Sequence, residues 1–125
     1  MRIAAACVAS ALAAAMAAAG AAPPAAGRYD AQLCVATGPA GPNCGPAEVD
    51  LRANGEARVR VADIVYRLQL NSSQVEVVLM HGAMQIDEFT VPYEWLGPSL
   101  RFIDEERHAR YEIRFLGRAD REPSR

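Results

Sequence analysis

Apolar and polar residues alternate with a period of two through most of the chain after residue 28. Residues 29–36 put Tyr29, Ala31, Leu33 and Val35 on one face and Asp30, Gln32 and Cys34 on the other. That is the pattern of a half-buried strand. Residues 47–53 repeat it, with Val49 and Leu51 against Glu48, Asp50 and Arg52. Asn54-Gly55 then reads as a two-residue hairpin turn, because both of its positions tolerate positive φ. Residues 56–62 answer with Ala57, Val59 and Val61 inward, so that opposite charges face each other across the hairpin. Ile64, Tyr66, Leu68 and Leu70 continue in the same manner up to the polar turn Asn71-Ser72-Ser73.

The clearest hairpin is QVEVVLM and AMQIDEFTV joined by His81-Gly82. A turn there pairs Leu79 with Met84 and Val77 with Ile86, and sends Met84 into the core. The apolar parity slips before Phe89 and Val91, which predicts a bulge near Asp87-Glu88 that also separates Glu76 from Asp87. Residues 92–98, PYEWLGP, are bounded by prolines and are not expected to form a central strand. Leu100 and Phe102 mark a short strand, residues 104–107 a charged turn, and residues 108–116 a last strand with Tyr111, Ile113 and Phe115 inward. About eight short strands with tight connections predict an all-β fold. The expected architecture is a small antiparallel meander, closed as a barrel or folded as a sandwich.

The N-terminus departs from this pattern. Met1-Arg2 precedes an Ala-dominated apolar run over residues 3–19, then small residues and Pro23-Pro24. This is the layout of a secretory signal peptide. The run is short and weakly hydrophobic for a membrane anchor. The organisation expected is a signal peptide over residues 1–21, a flexible lead-in over 22–27, one β domain over 28–117 and a disordered tail over 118–125. Cleavage would remove Cys7 and leave Cys34 and Cys44, an even count that favours a disulfide in an exported chain. Export places the mature domain in the periplasm or outside the cell.

Composition narrows the chemistry. The 125 residues carry a net charge of −2, and all 13 basic residues are Arg. That balance argues against nucleic-acid binding as the main activity. His81 and His108 read as exposed residues of a loop and a strand start. Ser72, Ser73 and Ser99 stand in no G-x-S-x-G context, so no catalytic residue and no enzyme is expected. Met80, His81 and Met84 form M-H-x-x-M, whose soft ligands suit copper, but the hairpin separates the two methionines. A periplasmic copper-binding protein is therefore a minor alternative, and no metal or cofactor is expected.

Two segments are the candidate binding sites. One is the Gly/Pro loop between the cysteines, with Thr37, Pro39, Pro42 and Asn43; a loop fixed in advance binds at lower entropic cost. The other is Tyr93-Glu94-Trp95, which either plugs one end of the barrel or anchors a partner. In outline, eight antiparallel strands with a disulfide resemble the periplasmic lysozyme inhibitors of the membrane-bound/C-type kind. The likeness is one of architecture; here the cysteines lie near the N-terminus with nine residues between them, rather than tying the start of the barrel to its end. The function expected is that of a non-catalytic binding or inhibitor-like module acting on a protein partner through exposed loops. The alternative is a lipocalin-like carrier of a small apolar ligand, which would need an unfilled interior.

Overall fold

The computed structural model describes residues 23–119, so the expected signal peptide and the end of the expected tail lie outside the described residues. The eight strands are β1 (Gly27–Thr37), β2 (Asn43–Leu51), β3 (Glu56–Val61), β4 (Ile64–Leu70), β5 (Gln74–His81), β6 (Met84–Leu96), β7 (Ser99–Asp104) and β8 (Ala109–Arg118). Each pairs antiparallel with its sequence neighbour, and β8 returns to β1 to close the barrel. The meander expected from the alternation is thus present, and it is a barrel. β8 runs to Arg118, two residues beyond the strand end read from the pattern.

Residues directly opposite in an antiparallel ladder share a face, so register decides what fills the barrel. One interior row reads Leu33, Ile113, Leu100 and Trp95 across β1, β8, β7 and β6. Another reads Ala57, Leu68, Val77 and Phe89 across β3 to β6. Leu100, Ile113, Val59, Val75 and Val77 are almost wholly buried. Phe102 stacks on Tyr111 with ring centroids 4.9 Å apart, and Phe89 stacks on the same tyrosine at 5.7 Å. Buried apolar side chains from all eight strands line the interior.

Three expectations fail in detail, each for a reason of register. The Asn54-Gly55 connection is a four-residue loop over residues 52–55, with Arg52 accepting from the Gly55 N–H. A two-residue turn would set Leu51 opposite Arg58. The longer loop sets Leu51 opposite Ala57 and Val49 opposite Val59, and it keeps Glu48 facing Arg60 and Asp50 facing Arg58. Only Gly55 takes positive φ, at 91°. A Cβ there would lie 2.6 Å from the Leu70 carbonyl oxygen. Gly55→Ala is therefore expected to destabilise by about 1–3 kcal/mol through strain alone, measurable as a lower urea midpoint with unchanged slope.

The β5–β6 loop is Gly82-Ala83, since His81 pairs with Met84. The bulge falls at Ile86, between the pairs Met80–Gln85 and Leu79–Asp87. Met84 and Ile86 consequently point to solvent, 63% and 49% exposed, and Met84 does not enter the core. The bulge still restores Phe89 and Val91 to the inside and leaves Glu76 opposite Thr90.

The third concerns residues 92–96, which continue β6 instead of leaving the sheet. Pro92 stands where β6 finishes with β5 and takes up β7. The Tyr93 N–H still reaches back to the Ser73 carbonyl, at 3.3 Å. A proline is tolerated there because it needs no N–H on the side facing β5.

Candidate functional site: an outer groove beside an overhanging strand

β6 is 13 residues long, whereas β7 has six. Only Tyr93–Leu96 of β6 finds a partner in β7, opposite Phe102–Ser99. From Met84 to Pro92, β6 has β5 on one side and no paired strand on the other. Antiparallel ladders alternate between hydrogen-bonded and non-bonded pairs, and the Tyr93 N–H points toward β5. Beyond the bulge at Ile86, even-numbered residues of β6 therefore turn their backbone groups toward β7. Pro92 would be the next such position, opposite Ile103, and it has no N–H to give. The ladder stops there, and a split opens between the two strands.

One side chain bridges the split. Arg107, in the turn of the β7–β8 connection, donates to Asp104 on β7 at 2.6 Å and to Asp87 on β6 at 2.8 Å. Its guanidinium lies 5.4 Å from the centroid of the Phe89 ring. Asp104 is buried, and this pair supplies its countercharge. The same oxygen of Asp87 accepts the Glu88 N–H at 2.8 Å, so the first outward amide beyond the bulge is met by a side chain. Paired carboxylates hold the Arg107 guanidinium above its ordinary pKa, with the Asp104 hydrogen bond as the main cause.

The split continues into a groove of about 1250 Å³ on the outer wall. Its floor is a row of outward residues in register: Glu94, Arg101, Glu112, Cys34 and Cys44 across β6, β7, β8, β1 and β2. Phe89, Val91, Pro92 and Ile103 supply apolar walls at the split. Ala36 is buried although it lies on the outer side of β1, next to Arg110 of β8.

The Cys34–Cys44 disulfide joins residues directly opposite each other, Cα atoms 4.0 Å apart. It forms one wall of the groove. Of the residues expected to bind, Pro42, Tyr93 and Glu94 line this one groove, although 50 residues of sequence separate its two sides. Thr37, Pro39 and Asn43 are exposed on or beside the β1–β2 tip and are not part of the lining. The tip is pinned by the Gly38 N–H, which donates to the His108 carbonyl at 2.8 Å. Trp95 faces inward, edge-on to Phe115 at 5.6 Å, and closes the opposite end of the barrel with Tyr29. Tyr93 donates its hydroxyl to the Asn71 carbonyl at 2.5 Å.

Neither histidine lines the groove. His108 takes a left-handed conformation after the short 3₁₀ turn, and exposed His81 sits opposite Met84. Among the described residues no group of three or more His, Cys, Asp or Glu side chains is placed to hold a metal. No described helix is long and apolar enough to cross a membrane.

From sequence, Asp87 and Asp104 read as solvated turn carboxylates, set against a carboxylate pair or a calcium site, and Arg107 reads as an ordinary turn charge. The available signal was Pro92 inside an otherwise regular strand, which marks where pairing must change.

Tyr111 stands near the bridging arginine, and Tyr66 lies edge-on to Tyr111 with ring centroids 6.2 Å apart. Burial pushes the Tyr66 hydroxyl above its ordinary pKa. It does the same to Tyr111, helped by Tyr66, Asp104 and Asp87, while Arg107 opposes. A group with a raised folded pKa contributes stability that is present below its unfolded value and lost as pH rises through the folded value. Stability should therefore fall as pH climbs above about 10, the ordinary phenol value. The Tyr66→Phe/Tyr111→Phe variant should lose less over the same interval in urea titrations. Equal slopes for the two proteins would refute the assignment.

Comparison with family models, curated proteins and solved structures finds no match. What the fold and site define is a class by architecture: a closed, eight-stranded antiparallel barrel with one cross-strand disulfide and a charged outer groove.

Proposed function

We propose that this is an exported binding or inhibitor-like module, without catalysis of its own, that receives part of a protein partner in the outer groove. The observation that carries this reading is the convergence of the disulfide-linked hairpin and the Tyr93-Glu94 segment on one groove of about 1250 Å³. A rigid wall lowers the entropy lost on binding, and the alternating Glu94, Arg101 and Glu112 offer a charge pattern suited to selecting partners. The buried apolar cluster drawn from all eight strands favours this reading over a small-ligand carrier, which needs internal space. Export is supported by the leader pattern and by a disulfide that an oxidising compartment would maintain.

The test is native mass spectrometry of the protein isolated from its own periplasm without reductant, followed by cross-linking. A bound protein whose cross-links map to the groove, and which is lost in an Arg101→Glu/Ile103→Asp variant, is the expected result. A retained apolar small molecule, or cross-links confined to the opposite wall, would overturn it.

A further inference from the structure

We propose that the split between β6 and β7 is a strand-addition site, taking an extended, basic segment of a partner polypeptide against the overhanging edge of β6. This inference rests on the binding-module reading and names the chemistry of the partner.

The first support is the edge itself. By the alternation of the ladder, Thr90 turns its N–H and carbonyl toward the split, and no β7 residue pairs with it. Ile103 is the matching position on the far side, beyond the last β6–β7 pair at Phe102. Exposed edges are templates for another strand, and natural proteins blunt them with charge or proline. Here the blunting is partial. Asp87 satisfies Glu88, and Pro92 lacks a donor, which leaves Thr90 between them.

The second support is charge. Asp87, Glu88, Asp104, Glu105 and Glu106 surround the split; Arg107 is set among them, and Arg110 stands next to Ile103 on β8. Arg107 shows what this end of the groove binds: a guanidinium between two carboxylates, over an aromatic ring. It is 44% exposed and comes from a short turn, so an incoming arginine can take its place without rebuilding a strand. The third support is the apolar rim. Ile103, 46% exposed, borders the opening beside Pro92, and Ile86, 49% exposed, lies further along the overhang. An incoming strand that alternates basic and aliphatic residues would meet the carboxylates with one face and this rim with the other.

The probe is a synthetic nine-residue peptide alternating Arg and Val, compared with its Glu-for-Arg analogue and with a version N-methylated at alternate amides. Binding is read by fluorescence anisotropy, and protection of the Thr90 and Ile103 amides by hydrogen exchange. The Arg–Val peptide should bind and protect both amides. N-methylation, or the variant Thr90→Pro, which removes the outward N–H and no ladder hydrogen bond to β5, should weaken it about tenfold, the scale of one backbone hydrogen bond. Arg107→Ser should bind the peptide more tightly than the native chain. If that variant fails to fold, Thr90→Pro and the N-methylated peptide still decide the matter. Equal binding of the N-methylated peptide, or binding of the Glu analogue, would overturn strand addition. Absence of peptide binding, in a protein whose natural partner still cross-links to the groove, would reject strand addition and leave the binding-module reading standing.

Discussion

Replacing Ile113 with alanine is expected to destabilise the barrel by about 2–5 kcal/mol, the range for truncating a large buried aliphatic side chain. Ile113 is 1% exposed. It lies in the middle of an interior row, between Leu33 on β1 and Leu100 on β7. The ladder to β7 is continuous and that to β1 is regular from Ala31 to Thr37, so the wall cannot readily collapse into the space left behind. The cost should therefore approach the upper part of the range. A domain of this size has roughly 5–14 kcal/mol of total stability, so the variant would stand near the limit of folding. The comparison is Ile103→Ala, at a position 46% exposed, which should change stability by no more than about 0.5 kcal/mol. Urea unfolding of the two variants checks the contrast. Similar midpoints would mean that the interior is loose and that the carrier reading deserves revival.

The second large effect is expected from the disulfide. Removing it as Cys34→Ala/Cys44→Ala should cost about 3 kcal/mol, from the loop-closure entropy that a cross-link over ten residues withdraws from the unfolded chain. The two residues are already paired in the β1–β2 ladder, so the native hairpin does not need the bond to find its register. The barrel should thus survive its loss with a lower melting temperature, and reduction of the native protein should give the same shift. The groove should suffer more than the fold, because Cys34 and Cys44 end the row that begins at Glu94. Without the cross-link, the hairpin tip retains the Gly38 contact to His108 and its own ladder. Partner binding in the groove should weaken even at temperatures where the variant is fully folded. Undiminished binding by a folded, disulfide-free variant would argue that this wall has no part in recognition.

Much of this fold is legible in local pattern. Tyr29, Ala31 and Leu33, or Tyr111, Ile113 and Phe115, alternate so regularly that strand and buried face follow directly. The connections were harder to read. Asn54-Gly55 looks like a two-residue turn taken alone, but the apolar residues on both sides require an even register, and only the four-residue loop supplies it. The bulge was predicted from the parity of Phe89 and Val91. Its place at Ile86 was set by the loop shifting one residue to Gly82-Ala83.

The two candidate loops were visible as sequence. That they share a groove was not, because Pro42 and Tyr93 meet only after β8 has closed on β1. Arg107 is the sharpest case. In sequence it belongs to the charged turn Asp104-Glu105-Glu106-Arg107, with nothing to distinguish it from a solvated surface.

By itself, the sequence determined the strands, their buried faces, the sequential antiparallel order and the pairing of Cys34 with Cys44, because these depend on side-chain alternation and short chain separations. Only the tertiary structure decided that the meander closes, that β6 outruns β7, and that Asp87, Asp104 and Arg107 assemble across the resulting split. Closure fixes the relative stagger of all eight strands together, and a quantity shared by eight strands is written in no one of them.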